Sequence, residues 1–419
     1  MPVEILLNDS RDIKRVKTGL EAIDAFVKPI TKEDGFTIVK TSLNDIGHPF
    51  LKQYQDRLRM YDSVEGVMAG CNESGLAKFV RASLQEYELL NIEELMGTMP
   101  EKYTIYEPLL LFNNSTHRSF VSGPWKEFFS GIDKKDKDKF FKEMLLKVFP
   151  SHNLSHVAIN MPIIESDILR RPFNILPLYN ELIDSSIDIE NSSLWDSPTQ
   201  EELDKTLWCH VIQNGVHQYW APMFTMFSRG NIKEKKRILD TFQDIEGNDI
   251  VDLYAGIGYF TLSYLKRGAR NIFCFELNPW SVEGLNKGLQ KNKFTGKAHV
   301  YCESNEMSYT RLKETGMKDL RIRHINLGLL PTSKPSWPLA LQLIAMDENN
   351  KMLTPVCTLH IHENIHINSI EDGSFIKEAL QELKTIKPEY NYKSKHLEKI
   401  KTFAPDVWHV CLDVDVITQ

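Results

Sequence analysis

From Pro49 to Tyr61 and from Leu76 to Leu95, apolar residues recur every three to four positions, the spacing of amphipathic helices. Within Trp125–Phe149, the residues Phe128, Phe129, Phe140, Phe141, Leu145, Leu146 and Phe149 keep that spacing on both sides of a charged turn. This predicts a helical hairpin with solvated lysines rather than a nucleic-acid stripe. Few strand signals interrupt the stretch, so residues 1–150 read as a mainly helical N-terminal region. From Ser155 to Ser228 the period shortens into alternating apolar segments, and Asn214-Gly215 between two such runs signals a hairpin. The serine- and acid-rich run Glu181–Asp204 reads as a loop or boundary, and Asn231–Phe242 as a helix. Together these make 151–242 a small α+β domain. From Asn248 onward strand-like and helix-like segments alternate, which specifies a parallel α/β sheet with helices on both faces over 243–419. Its last run, Trp408–Ile417, follows another extended segment after a short turn at Pro405, as in an antiparallel edge hairpin.

The 419 residues exceed one ordinary core, so two or three domains are expected. With 42% hydrophobic and 26% charged residues, and no apolar run near the ~20 residues that span a bilayer, the composition is that of a globular protein rather than a membrane one. The N-terminus has early acidic residues and neither an h-region nor a small-residue cleavage pattern, so a cytoplasmic location is expected. Cys71, Cys209, Cys274, Cys302, Cys357 and Cys411 lie far apart, the last four in strand-like runs, and read as buried free thiols. His360 and His362 share one face of a strand, but two histidines alone make no site, and no metal is expected. A net charge of −7 argues against indiscriminate coating of nucleic acid while leaving room for a local basic surface that recognises one folded RNA.

The segment from Val251 to Phe260 runs from an apolar strand through Gly256 and Gly258 into a helix. Such a turn lets backbone approach a ligand at a helix N-terminus. A dinucleotide fingerprint places a third glycine at the position of Thr261, where it permits close helix–strand packing, so a nicotinamide dinucleotide is disfavoured. Glu276 follows at the end of the next strand, about 20 residues on, the distance at which a carboxylate accepts from both ribose hydroxyls. The pair points to an adenosine-type cofactor. The run DLYAGIGYFT, which includes Asp252, resembles the first motif of class I methyltransferases, and that resemblance implies S-adenosylmethionine, with Asn305 and the adjacent Ser304 near the adenine.

Four segments resemble a narrower family in combination: Met226–Arg237, Val251–Leu262, Ile325–Trp337 and Phe403–Val416. They are similar to the tRNA wybutosine-synthesizing aminocarboxypropyltransferases, over residues 205–419. The resemblance implies a Rossmann-like class I methyltransferase fold. It also implies transfer of the 3-amino-3-carboxypropyl group of S-adenosylmethionine to 4-demethylwyosine at position 37 of phenylalanine tRNA, in the anticodon region. By motif matching it adds Ser228 and Lys235 to the cofactor contacts, Lys235 being suited to a carboxylate. The sulfonium activates all three attached carbons, so the product depends on which carbon faces the nucleophile.

Asn326 ends the fourth strand of this region, where doubly wound folds present residues to substrate, and is the positional candidate for catalysis. The related tRNA guanine-37 N1-methyltransferases carry a shorter Asn-x-Pro there; here Gly328 and Leu329 intervene before Pro331, which favours the aminocarboxypropyltransferase. His324 reads as packed or paired. Arg170 and Arg171 suit bidentate phosphate contacts or acidic neighbours. Lys384, Lys387, Lys393, Lys395, Lys399 and Lys401 give a basic segment before the last strands, and Trp408 and His409 open the final strand as stacking or core residues. A guanine-37 methyltransferase and a non-catalytic RNA-binding subunit are the competing functions.

Overall fold

The computed structural model describes residues 2–417 except 9–11, 24, 34, 62–73, 88, 90, 161–174 and 347–356; Arg170, Arg171 and Cys71 lie outside the described residues. The chain forms two compact units, Met1–Ser74 and Gly75–Gln419.

The first unit corrects the reading of residues 1–150 as mainly helical. It contains β1 (Val3–Leu7), α1 (Asp12–Ala22), β2 (Phe26–Glu33), β3 (Phe36–Thr41) and β4 (Leu58–Met60), with the strands in an antiparallel sheet of order β2-β3-β1-β4. Only Leu51–Arg57 of the Pro49–Tyr61 stretch coils, as a 3₁₀ helix. Short strands buried on one face carry too few alternations to outweigh an apparent helical period.

The second unit opens with α2 (Gly75–Gln85), α3 (Ile92–Thr98), β5 (Tyr103–Tyr106), β6 (Leu109–Asn113), α4 (Gly123–Gly131), α5 (Lys134–Val148), β7 (His156–Asn160) and β8 (Ile175–Tyr179), the four strands pairing in order β5-β6-β7-β8. Helices α4 and α5 are the predicted hairpin, with Phe140, Phe141 and Leu145 buried around Trp125; Leu146, read as part of that stripe, is exposed. Two short helices, α6 (Ser193–Asp196) and α7 (Gln200–Asp204), precede the hairpin of β9 (Cys209–Gln213) and β10 (Val216–Trp220). Asn214 and Gly215 both adopt positive φ, +53° and +68°, as a two-residue hairpin turn requires.

Helix α8 (Ile232–Thr241) leads into the large sheet: β11 (Asp249–Asp252), α9 (Thr261–Lys266), β12 (Asn271–Phe275), α10 (Pro279–Lys291), β13 (Ala298–Tyr301), α11 (Ser308–Glu314), β14 (Ile322–Leu327), α12 (Trp337–Ile344), β15 (Cys357–His366), α13 (Ile367–Glu371), α14 (Ser374–Ile386), β16 (Asn391–Ala404) and β17 (Val407–Ile417). Strand order is β13-β12-β11-β14-β15-β17-β16, parallel through β15, with β17 inserted antiparallel beside it. The order reverses between β11 and β14, the switch point at whose carboxyl ends such sheets bind ligands. One face packs on α11, α12 and α14 through Leu312, Trp337, Leu341 and Leu383; the other packs on α8, α9 and α10 through Ile238, Leu262 and Leu285. Cys209, Cys274, Cys357 and Cys411 are buried and in no disulfide, as expected, whereas Cys302, just past β13, is exposed.

Gly284 of α10 lies against β10: a Cβ there would stand 2.6 Å from the Tyr219 carbonyl oxygen, a backbone atom that cannot swing aside. Gly284→Ala is therefore expected to destabilise the chain by about 1–3 kcal/mol through overpacking, read as a lower thermal midpoint; an unchanged midpoint would show that helix and hairpin separate freely.

Candidate functional site

Gly256 (φ +54°) and Gly258 (φ +84°) turn the chain from β11 into α9. A Cβ on Gly258 would meet the Leu285 side chain at 2.6 Å, so glycine serves both conformation and packing there. Beneath the loop, Asp252 is fully buried: its carboxylate accepts from Thr261 Oγ1 at 2.7 Å and Asn326 Nδ2 at 3.0 Å. Burial pushes its pKa up while those donors oppose the rise. Two predicted site residues, Asp252 and Asn326, thus meet each other and brace the ends of β11 and β14.

Glu276 lies just past β12, half-buried, with one oxygen accepting from Gly256 N–H at 2.8 Å and the other from Asn278 N–H at 2.9 Å. Burial raises its pKa. Each oxygen keeps a lone pair for another donor, so the carboxylate is aimed at the glycine loop and retains capacity for a ribose. Asn305 donates to the Leu253 carbonyl at 3.0 Å and contacts Ser336 Oγ at 3.4 Å, where Tyr254 also bonds. Ser304 caps the following 3₁₀ turn, its Oγ accepting from Glu306 N–H.

Lys235 carries the most unusual environment. It is 2% exposed, yet among the described residues no carboxylate pairs with it. Its Nζ donates to Gln218 Oε1 at 2.5 Å and Gln213 Oε1 at 2.8 Å and stands 5.2 Å and 5.1 Å from the ring centroids of Phe227 and Tyr259. Burial brings its pKa down to about 7. Gln218 touches the Gly258 carbonyl at 3.4 Å, which ties this lysine to the loop. Ser228 N–H donates to Tyr259 Oη at 3.1 Å, and Lys401 donates to Ser228 Oγ at 2.9 Å. Gln213, Gln218, Tyr259 and Lys401 escaped the sequence reading. A signal existed for the glutamines, since both occupy the core-facing register of their hairpin with Val211, Val216 and Trp220.

The basic segment is only partly free: Lys384 donates to the Tyr390 carbonyl, Lys387 pairs with Glu389, Lys395 stands 3.9 Å from an Asp415 oxygen, and Lys399 lies over Trp408, while Lys393 is exposed. His324, as expected, is buried and paired, Nδ1 to His360 at 2.9 Å and Nε2 to the Gln243 carbonyl at 2.8 Å. Glu234, His362 and Cys411, and likewise His360, Cys411 and Asp413, present ligand-type atoms within 4.8 Å of one another. Arg237 already bonds both oxygens of Glu234 and both of Asp413, so the carboxylates of this cluster are already engaged by the protein's own cation.

The TRM5/TYW2 methyltransferase domain matches residues 211–315. Across 100% of this chain and 99% of its own length, tRNA wybutosine-synthesizing protein 2 of Saccharomyces cerevisiae is 47% identical. The protein of the same name from Schizosaccharomyces pombe is 33% identical, covering 91% of this chain and 87% of its own. The chain belongs to the tRNA wybutosine-synthesizing protein 2 family. The crystal structure of Pyrococcus horikoshii TYW2 in complex with MeSAdo, 19% identical, aligns over 82% of this chain and 100% of that one with a TM-score of 0.53, so the two share the α/β fold read from the sequence.

The residues of this family member fit an adenosine-type group with an amino-acid tail: glycines where backbone must approach, a carboxylate with spare lone pairs, and a buried cation without an anion. Glu276→Ala is expected to weaken S-adenosylmethionine binding by about 1–3 kcal/mol, since ribose hydroxyls would lose their acceptor; calorimetry showing unchanged affinity would remove Glu276 from the site. A carboxylate bound to Lys235 raises a pKa that is about 7 without it. Binding then takes up a proton, so affinity is complete below pH 7 and falls as pH rises above it. Lys235→Gln should flatten this component of the pH dependence and weaken S-adenosylmethionine while sparing methylthioadenosine, which lacks the carboxylate; equal losses for both ligands would place Lys235 elsewhere.

Proposed function

We propose that this chain transfers the 3-amino-3-carboxypropyl group of S-adenosylmethionine to 4-demethylwyosine at position 37 in the anticodon region of phenylalanine tRNA, in wybutosine biosynthesis, releasing methylthioadenosine. The observation that carries this reading is Lys235, a buried amine beside the glycine loop that pairs with no carboxylate among the described residues, in a chain whose relatives along its whole length are tRNA wybutosine-synthesizing proteins. The donor supplies a sulfonium that activates each attached carbon. The chain's part is orientation: Glu276 and the loop hold the adenosine end, Asn305 and Ser304 lie on the adenine side, and Lys235 with Ser228 holds the tail carboxylate, which decides the carbon left facing the acceptor. Asp252 and Asn326 act as positioning residues: the Asp252 carboxylate accepts from Thr261 and from Asn326 Nδ2, which ties the two strand ends together. Exposed Lys393 and Lys395 supply positive charge for the RNA backbone.

Mixing the purified chain with S-adenosylmethionine and phenylalanine tRNA from cells lacking the activity should yield methylthioadenosine and a matching mass gain on the base, read by mass spectrometry. S-adenosylhomocysteine instead would make the chain a guanine-37 methyltransferase. Failure to bind S-adenosylmethionine would make it a non-catalytic RNA-binding subunit.

A further inference from the structure

Two strands beyond β15, the edge strand β16 carries a second lysine that meets no carboxylate among the described residues. Lys401 pairs in register with His409 of β17, and His409 with Asn364 of β15, two residues before the carboxyl end of that strand. This places Lys401 toward the side on which such sheets bind ligands. The cations around it are answered differently: Lys233 meets Glu398, Lys395 lies 3.9 Å from Asp415, and Lys399 lies over the Trp408 ring. Lys401 Nζ instead donates to the Ser228 hydroxyl at 2.9 Å. Burial lowers its pKa, and no carboxylate among the described residues opposes that shift.

Gly230 makes this approach possible. A Cβ there would collide with Lys401 Cδ, so the lysine stem crosses the chain at a point that bears no side chain. The segment 227–230 thereby lies between two lysines. On one side Lys235 Nζ stands 5.2 Å from the Phe227 ring centroid and 5.1 Å from that of Tyr259, whose Oη accepts from Ser228 N–H at 3.1 Å. On the other side Lys401 holds Ser228 Oγ. Two largely buried cations around one short segment, each given neutral acceptors, are poorly compensated, and an anion shared between them offsets that.

We infer that Lys401 is a positioning residue for the donor: acting through the Ser228 hydroxyl, it completes with Lys235 a two-cation seat for the tail carboxylate and sets the preference for a donor that carries one. This rests on the reading of Lys235 and Ser228 as the carboxylate's contacts. A serine hydroxyl has one proton to give and two lone pairs. Lys401 fills one lone pair, so the proton is directed outward, where its present acceptor is Asn231 Oδ1 at a long 3.3 Å. An arriving carboxylate is a charged and stronger acceptor, and a hydroxyl that accepts from an ammonium is itself polarised toward donating. Lys401 thus acts on the donor at one remove, by the orientation of Ser228 and by its charge. The same charge opposes a donor whose tail ends in an ammonium alone. Decarboxylated S-adenosylmethionine is such a molecule: it keeps the sulfonium and the amine and lacks the carboxylate, so it brings positive charge to a seat already holding two cations.

The test is calorimetry on the full chain without tRNA, with S-adenosylmethionine and its decarboxylated form as the two ligands. In Lys401→Met, affinity for S-adenosylmethionine should fall about 10-fold, the scale of one hydrogen bond to a charged group, while the decarboxylated form binds as tightly as to the parent or more tightly. Lys401→Arg keeps the cation and should retain most of the preference. Gly230→Ala displaces the lysine stem without removing its charge; it should erode the same ratio, and it keeps the inference open to refutation if Lys401→Met fails to fold. Equal losses for both ligands overturn the inference and make Lys401 a structural strut. Unchanged affinity for both overturns it as well. Product analysis with tRNA is a separate measurement: S-adenosylhomocysteine in place of methylthioadenosine from the parent overturns the transfer reading, whatever the ratio of the two binding constants.

Discussion

Arg237 fastens α8 to the large sheet, and the arrangement of the site depends on that attachment. Its guanidinium, about one-tenth exposed, meets Glu234 on its own helix and Asp413 on β17. Burial alone would lower its pKa, but the two carboxylates raise it, so the charge stays. Asp413 in turn accepts from His360 at 2.7 Å, and His360 meets His324, whose far nitrogen bonds the Gln243 carbonyl. The two rings thus carry a continuous chain of contacts from Asp413 to the Gln243 carbonyl, and burial pushes His324 well below the ordinary histidine value. Buried ionic groups of this kind contribute little net stability compared with apolar packing, yet removing one partner leaves an uncompensated charge. They specify one seating of α8, and α8 carries Lys235.

That seating explains why one face of the sheet changes character across its width. Under α9 and α10 it is apolar, with Ile250, Ile272 and Cys274. Toward β15 and β17 the same face carries His324, Asn326, His360, His362, Cys411 and Asp413, all buried. A core built for stability alone would continue the apolar pattern. Here the polar side chains cluster on the strands that flank the switch point, where Asp252 and Asn326 lock two strand ends together. The glycine loop above them has a rigid floor, and Glu276 clasps its backbone from the neighbouring strand. Lys235 sits in a wall of glutamines and aromatic rings, and among the described residues no carboxylate answers its charge, an arrangement suited to an arriving anion.

Much of this was legible in the chain. Alternating strand and helix periods specify a parallel sheet because strands buried on both faces and amphipathic helices must alternate to cover each other, and the closing hairpin follows from two extended runs separated by a short turn. Gly256, Gly258 and Glu276 are readable because backbone approach and ribose binding restrict residue type at fixed spacing. The N-terminal sheet was missed because strands such as Val3–Leu7 and Leu58–Met60 are too short to show a period. Cys302 was misjudged because burial of a residue just past a strand depends on what covers it.

By itself the sequence determined the α/β class, the order of elements in the C-terminal half, the glycine loop and its acidic partner, since these depend on local period and on residues near one another in the chain. Only the tertiary structure decided that Asn326 donates to Asp252, that Lys235 lies buried against Gln213 and Gln218 with no carboxylate partner among the described residues, and that His362 and His409 meet. Those pairings join strands and helices distant in sequence, and burial, which sets the charge state of each group, exists only once the sheet and α8 have closed over them.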